Sequence, residues 1–350
     1  PLWDLGAPPI HPEDCYIAEL VCSLAQITMG ITCSTDTSQS SHTPEHTDAM
    51  IRGLMDSGAR ALYDYSAGTN RGVNTGYEWP GKMGDFSTGV GRLRKKFFSS
   101  EDQLVTLGLG ANQAPVTSPD GTVQTYTGWQ LAKEFGCWIN NHNVGGTAVV
   151  TDPVNRAQLD DPKIGPRLTL VHAVRWQDNV VAQVGADKTG FPNPATSAAW
   201  QAAYDTGVHI SIATPLEMQM RHGAPPMQMA LNYGIMPSLS PDVSTNQSPD
   251  PFTLMRGAFN GQRMLANDLA FNKSDPGNLI APQTLTCNQV LQMGTYAGAV
   301  ASGLGDKVGT LTPGKEADIV FLETKSIDIA PMNNVPGTIV TMMDTSHVKH

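Results

Sequence analysis

Charge is scarce in this chain and leans one way. Only 15% of the 350 residues are charged, and 22 Lys and Arg against 32 Asp and Glu leave a net charge of −10. No basic run interleaved with aromatics stands out from that balance, which argues against nucleic acid or an anionic membrane as the main partner. Cysteine is equally sparse. Cys15, Cys22, Cys33, Cys137 and Cys287 are scattered without a Cys-x-x-Cys pair, so neither a disulfide framework nor a thiolate zinc site is indicated. Thiols kept reduced, and hence a cytoplasmic location, are the expectation. No apolar run reaches the ~18 residues of a membrane span, and no charged-then-apolar signal opens the chain at Pro1-Leu2-Trp3. Gly-x-Gly-x-x-Gly follows none of the strand-like segments, so a Rossmann-type nucleotide site lacks its usual marker.

What the chain does have is apolar residues, 40% of the total, enough for one large core. At this length a single domain points to an α/β barrel. A local unit recurs along it. Asp56-Ser57-Gly58 leads into Ala59-Arg60-Ala61-Leu62-Tyr63, and Glu134-Phe135-Gly136 leads into Cys137-Trp138-Ile139. Asp205-Thr206-Gly207 leads into Val208-His209-Ile210, and Gly234 leads into Ile235-Met236-Pro237-Ser238-Leu239. Each time a helix closes on a glycine in the left-handed position and a strand begins at once. Repetition of this αβ half-unit predicts a parallel sheet covered on both faces, whose strands read as continuous apolar runs.

Polar and ionisable residues gather where these runs end. Strands are expected to end near Asp36, Tyr65, Gly110, His142, His172, Thr214 and Asp242, with Glu217 just beyond the sixth of these. In a (β/α)8 barrel that end carries the chemistry. Between residues 66 and 92 the sequence is glycine-rich with little periodicity, and it reads as a long loop whose aromatics, Trp79 among them, would wall a substrate.

The run Val308-Gly309-Thr310-Leu311-Thr312-Pro313-Gly314-Lys315-Glu316-Ala317-Asp318-Ile319-Val320 resembles the closing signature of the amidohydrolase superfamily. The segments Ser240-Pro241-Asp242-Val243-Ser244-Thr245-Asn246 and Thr214-Pro215-Leu216-Glu217-Met218-Gln219-Met220-Arg221-His222-Gly223 are similar to its cytosine-deaminase-like and triazine-chlorohydrolase-like branch. The resemblance implies a TIM barrel of amidohydrolase type over residues 1–306 and part of a small β-sandwich over 307–350. It also implies a metal-dependent hydrolase of a small heterocyclic or cyclic substrate, acting by deamination, dehalogenation or amide C–N hydrolysis. One divalent ion is implied, zinc before iron, with His142, His172 and Asp242 as ligands. Asp242, His172 and Glu217 would carry the catalysis, and Trp79, His222 and Asn246 would contact substrate.

Two departures from the family pattern matter. A His-x-His pair belongs on the first barrel strand, and none occurs in these 350 residues. The acid three residues after the fifth-strand His is replaced by Gly145, leaving Glu217 as the nearest substitute. Counted against the family, strands two to eight are expected, with the first strand and its sandwich neighbours missing and the chain incomplete at both ends. If the His pair is truly absent the metal is absent too, and a metal-free lyase or isomerase, or a non-catalytic binding relative, becomes the alternative.

Each of these residues has a plainer reading. A lone His at a strand end is more often a hydrogen-bonded rim residue than a ligand. Glu217 could be a surface carboxylate paired with Arg221. His222 could simply close a turn, His46 could be a solvated helix residue, and Asp36 and Asp64 could orient loops. Met218, Met220, Met227 and Met229 read as core packing. A small-molecule substrate is expected as partner, with no nucleic acid or membrane, and a homodimer is compatible with the sequence.

Overall fold

The computed structural model describes residues 10–38, 40–41, 43–66, 83–111, 115–117, 123–143, 146–176, 194–273 and 284–349. The chain divides into two compact units. Residues 1–27 and 31–141 form the first; residues 28–30 and 142–350 form the second.

The first unit alternates helix and strand: α1 (Pro12–Thr28), β1 (Cys33–Ser38), α2 (Pro44–Ser57), β2 (Arg60–Ser66), α3 (Met83–Lys96), β3 (Val105–Gly110), α4 (Gly128–Phe135) and β4 (Trp138–Asn143). These four strands lie in the order β1-β2-β3-β4 and pair in parallel, with Thr35 opposite Leu62, Tyr63 opposite Leu107 and Leu109 opposite Ile139, while Pro115–Thr117 and Val123–Thr127 form a separate antiparallel pair. Local chemistry sets the boundaries. Thr43 caps α2 by accepting from the His46 N–H, with Pro44 at the first helical position, and Thr127 and Gln130 form a capping box at α4. The expected glycine stops are all present: Gly58, Gly136, Gly207 and Gly234 have φ of 73°, 65°, 71° and 79°.

Two expectations change in this unit. Residues 66–92 are not loop throughout, because α3 occupies Met83–Lys96. Gly89 and Gly91 lower its helix propensity and hide it in the sequence. Gly89 is nevertheless needed, since a Cβ there would lie 2.6 Å from the Tyr65 hydroxyl on β2, while Val90 and Leu93 are fully buried. Asp36 and Asp64 lie within strands, Asp36 in β1 and Asp64 in β2 with no solvent exposure. His46 is not solvated either. It is 1% exposed and its ring nitrogens meet the Thr43 hydroxyl and the Ile10 carbonyl, each at 2.8 Å. Trp79 lies outside the described residues.

The boundary between the units falls inside β4, so His142 and Asn143 belong to the second. There β5 (Leu168–His172), β6 (His209–Ile212) and β7 (Ser238–Leu239) run parallel in that order, with Leu170 opposite Ile210 and Ile212 opposite Leu239. The end of β4 joins them through the Ala173 N–H, which donates to the Asn143 carbonyl at 2.8 Å. Helix α5 (Pro194–Thr206) precedes β6, and α6 (Pro251–Lys273) follows β7. The core is built from Leu168, Leu170, Ile210 and Ile212 on strands, and from Trp176 against Trp200 at an edge-on 5.3 Å between centroids. Burying apolar side chains of this size contributes roughly 1.5–3 kcal/mol each. Of the four methionines read as packing, Met227 is fully buried and Met220 is 42% exposed. Beyond residue 307 the regular structure is one helix, Val335–Thr341, and a short antiparallel pair, Phe321–Leu322 with Val348–Lys349. Among the described residues no helix is long and apolar enough to cross a membrane, and no disulfide joins the five cysteines.

Candidate active site

All the charged candidates from the sequence fall in the second unit, at the ends of its strands. His142 is the fifth residue of β4 and His172 the last of β5. Because the two strand ends are tied at Asn143 and Ala173, the imidazoles come together, their ring centroids 5.5 Å apart and inclined at 55°. His222 stands edge-on to His172 at 6.1 Å.

Glu217 reaches the same place from a short helix, Leu216–Gln219, after β6. It is not the surface carboxylate that a pairing with Arg221 would require; it is completely buried. Its backbone N–H donates to the Ala213 carbonyl at 3.0 Å, and its Oε1 accepts from the Ala213 N–H at 3.0 Å, so one turn fixes both ends of the residue. Oε1 also lies 3.0 Å from His172 Nδ1. Oε2 is buried with no hydrogen-bond partner among the described residues. The Glu217 carbonyl accepts from the His222 N–H at 2.9 Å, which explains how His222 arrives beside His172.

Asp242 follows β7 by three residues. Its N–H donates to the Ser240 hydroxyl at 2.9 Å, and its backbone lies in the left-handed region at φ 59°. Among the described residues only His172 (87°), Ala173 (51°), Arg221 (59°) and Asp242 (59°) are non-glycine residues with positive φ. All four belong to the cluster or adjoin it, Ala173 beside His172 and Arg221 beside His222. Such conformations cost on the order of 1–3 kcal/mol each and collect at functional sites.

The electrostatics separate the two imidazoles. Burial, and then the neighbouring His172, push His142 below the usual imidazole range, against the pull of Asp242. Burial also acts downward on His172, but the Glu217 hydrogen bond and charge, with Asp242, outweigh it and hold His172 above the usual range. Burial raises the Glu217 carboxyl despite the bonds from His172 and Ala213.

The donor chemistry of this cluster fits a divalent ion: an imidazole at His142 held below the usual range, a second imidazole oriented through Nδ1 by a carboxylate, and the Asp242 carboxylate. The geometry is partial, since among the described residues no group of three or more His, Cys, Asp or Glu closes around one point. Asn246 is exposed; its carbonyl accepts from Gln219 Nε2 at 3.4 Å. Residue reasoning alone did not mark Ala173 and Asn143, which join the two histidine strands. No local motif announces either one.

Known proteins supply the wider frame. Residues 171–341 match the model of the Amidohydrolase family. A 5'-deoxyadenosine deaminase of Methanothermobacter thermautotrophicus is 30% identical over 261 residues, 71% of this chain and 52% of that protein. A 5-methylthioadenosine/S-adenosylhomocysteine deaminase of Teredinibacter turnerae is 25% identical over 137 residues, 39% of this chain and 28% of that protein. Among solved structures, a zinc-bound adenosine deaminase from Xanthomonas campestris superposes with a TM-score of 0.72 at 18% identity, covering 99% of this chain and 70% of that one. The atrazine chlorohydrolase TrzN from Arthrobacter aurescens, complexed with zinc, follows at 0.65 and 18%, covering 99% and 74%. The fold is therefore the (β/α) barrel of these enzymes. The chain is similar to the amidohydrolase family over residues 171–341, and to the deaminase of Methanothermobacter thermautotrophicus over 71% of its length. Its matches span only 28% and 52% of the two curated relatives described.

Proposed function

We propose that the chain carries the active site of a metal-dependent hydrolase that displaces ammonia, an amine or a halide from a small heterocycle. One arrangement carries the reading: two imidazoles 5.5 Å apart at neighbouring strand ends, with a fully buried carboxylate bonded to one of them and Asp242 acting on both. The names of the relatives and of the structural neighbours, deaminases and a chlorohydrolase, support the reaction class.

In this reading His142, His172 and Asp242 would hold the ion, zinc being the metal named for the structural neighbours. A bound divalent ion would supply Lewis acidity, which lets water react near neutral pH. The remaining work falls to the chain. Asp242 would take a proton from the attacking water, a role its carboxylate can fill and that its charge interaction with both imidazoles supports. Glu217 Oε1 orients His172, while Oε2, buried and without a donor, is placed to receive an N–H or hand a proton to the leaving group. That assigns to Glu217 the duty for which Gly145 has no side chain. His222 borders the space beside His172 and would contact the substrate ring, and Trp79 and Asn246 are proposed as outer contacts.

Release of product from a panel tests this. Zinc-supplemented protein would be offered amino-, chloro- and oxo-substituted pyrimidines, purines and triazines, with ammonia and chloride followed directly. Turnover of an amino or chloro compound is expected. Absence of release from every compound, together with tight binding of one of them, would favour a non-hydrolytic relative.

A further inference from the structure

Resting on that reading of the site, we infer that Asn143 is a positioning residue that sets the spacing of His142 and His172. Its side chain makes two hydrogen bonds to a single residue: Nδ2 donates to the Gly146 carbonyl at 2.8 Å, and Oδ1 accepts from the Gly146 N–H at 2.8 Å. The carboxamide thereby pairs with Gly146 as one peptide group pairs with another, through one donor and one acceptor, a match that needs both halves of an amide. Asn143 is 8% exposed, so its carboxamide makes this pair from a largely buried position.

The same residue serves the other strand through its backbone. Its carbonyl accepts from the Ala173 N–H at 2.8 Å, directly after His172. That N–H points back towards β4 because His172 and Ala173 both adopt positive φ, 87° and 51°. Asn143 therefore follows His142 immediately, is fixed to Gly146 through its side chain, and holds the strained bend that leaves His172 through its carbonyl. With the side-chain clamp gone, the Asn143 carbonyl can rotate, the Ala173 bend loses its anchor, and the two rings are free to separate.

The test uses the full chain with 13C/15N-labelled histidine, so that contact between the two rings is read by NMR independently of any reaction. Asn143→Ala is expected to weaken or abolish the ring-to-ring NOE between His142 and His172 while the His172 resonance bonded to Glu217 persists. On the zinc-supplemented enzyme, kcat should fall on the order of 10- to 100-fold, the range for removing groups that orient ligands, with KM changed little. Asn143→Asp keeps the acceptor for the Gly146 N–H, and should recover part of both signals. It also decides the matter if the alanine variant does not fold. A wild-type NOE and wild-type kcat in Asn143→Ala would overturn the inference. If the wild-type protein turns over nothing, the proposed hydrolysis fails, and the NOE comparison still decides the role of Asn143.

Discussion

Nδ1 of His172 lies 3.0 Å from Oε1 of Glu217, and both side chains are almost wholly buried, at 5% and 0% exposure. The two residues stand 45 positions apart, one at a strand end and the other on a short helix beyond the next strand, so only the packed fold makes the pair. Such a pair is costly to break. Removing one partner strands the other, a loss of about 3–5 kcal/mol for a buried ionic pair.

The first prediction follows from that asymmetry. Glu217→Ala should lower the stability of the protein by roughly 3 kcal/mol or more, seen as a clear drop in the denaturant midpoint. Glu217→Gln keeps a hydrogen-bonding group of the same shape. It should stay folded yet lose turnover by on the order of 10²-fold or more, as expected when a proton-transfer group is removed. A glutamine variant as active as wild type would remove Glu217 from the chemistry.

Asp242→Asn should likewise fold and lose turnover by about 10²-fold or more, because an amide cannot take up a proton near neutral pH. Circular dichroism with steady-state kinetics on purified variant protein checks both halves. Unchanged turnover would shift support to a non-hydrolytic activity.

A third prediction concerns pH and the first unit. Burial, joined by the charge of Asp36, raises Glu19 on α1 to about 9, and burial raises Asp36 on β1 to about 7. Tyr63 on β2 faces the same acids. Both carboxyls bind protons more tightly folded than unfolded, where values near ~4 apply. Their contribution is therefore fully present below about pH 4 and is lost as pH rises through about 7 and then about 9. The melting temperature should fall from pH 6 to pH 9.5, and Asp36→Asn should flatten that fall. An identical slope in the variant would contradict the assignment.

Much of this was legible in the sequence, and the reason is local. A glycine that ends a helix in the left-handed region needs only its own backbone, and all four expected stops appear, from Gly58 to Gly234. His142 and His172 could be placed at strand ends for the same reason. Glu217 could be placed near them, but its burial could not be read, because that depends on a partner 45 residues away. His46 was misread for a similar cause: its burial comes from the Ile10 carbonyl, 36 positions distant. Helix α3 was hidden because Gly89, chosen for its close approach to Tyr65, resembles a loop residue in one dimension.

The central claim is that His142, His172 and Asp242 form one ion-binding catalytic cluster, and calorimetric titration with zinc tests it most directly. The account predicts one zinc bound per chain by the wild-type protein, with affinity reduced on the order of 100-fold or more in both His142→Ala and Asp242→Ala. Equal zinc affinity in wild type and both variants would contradict it.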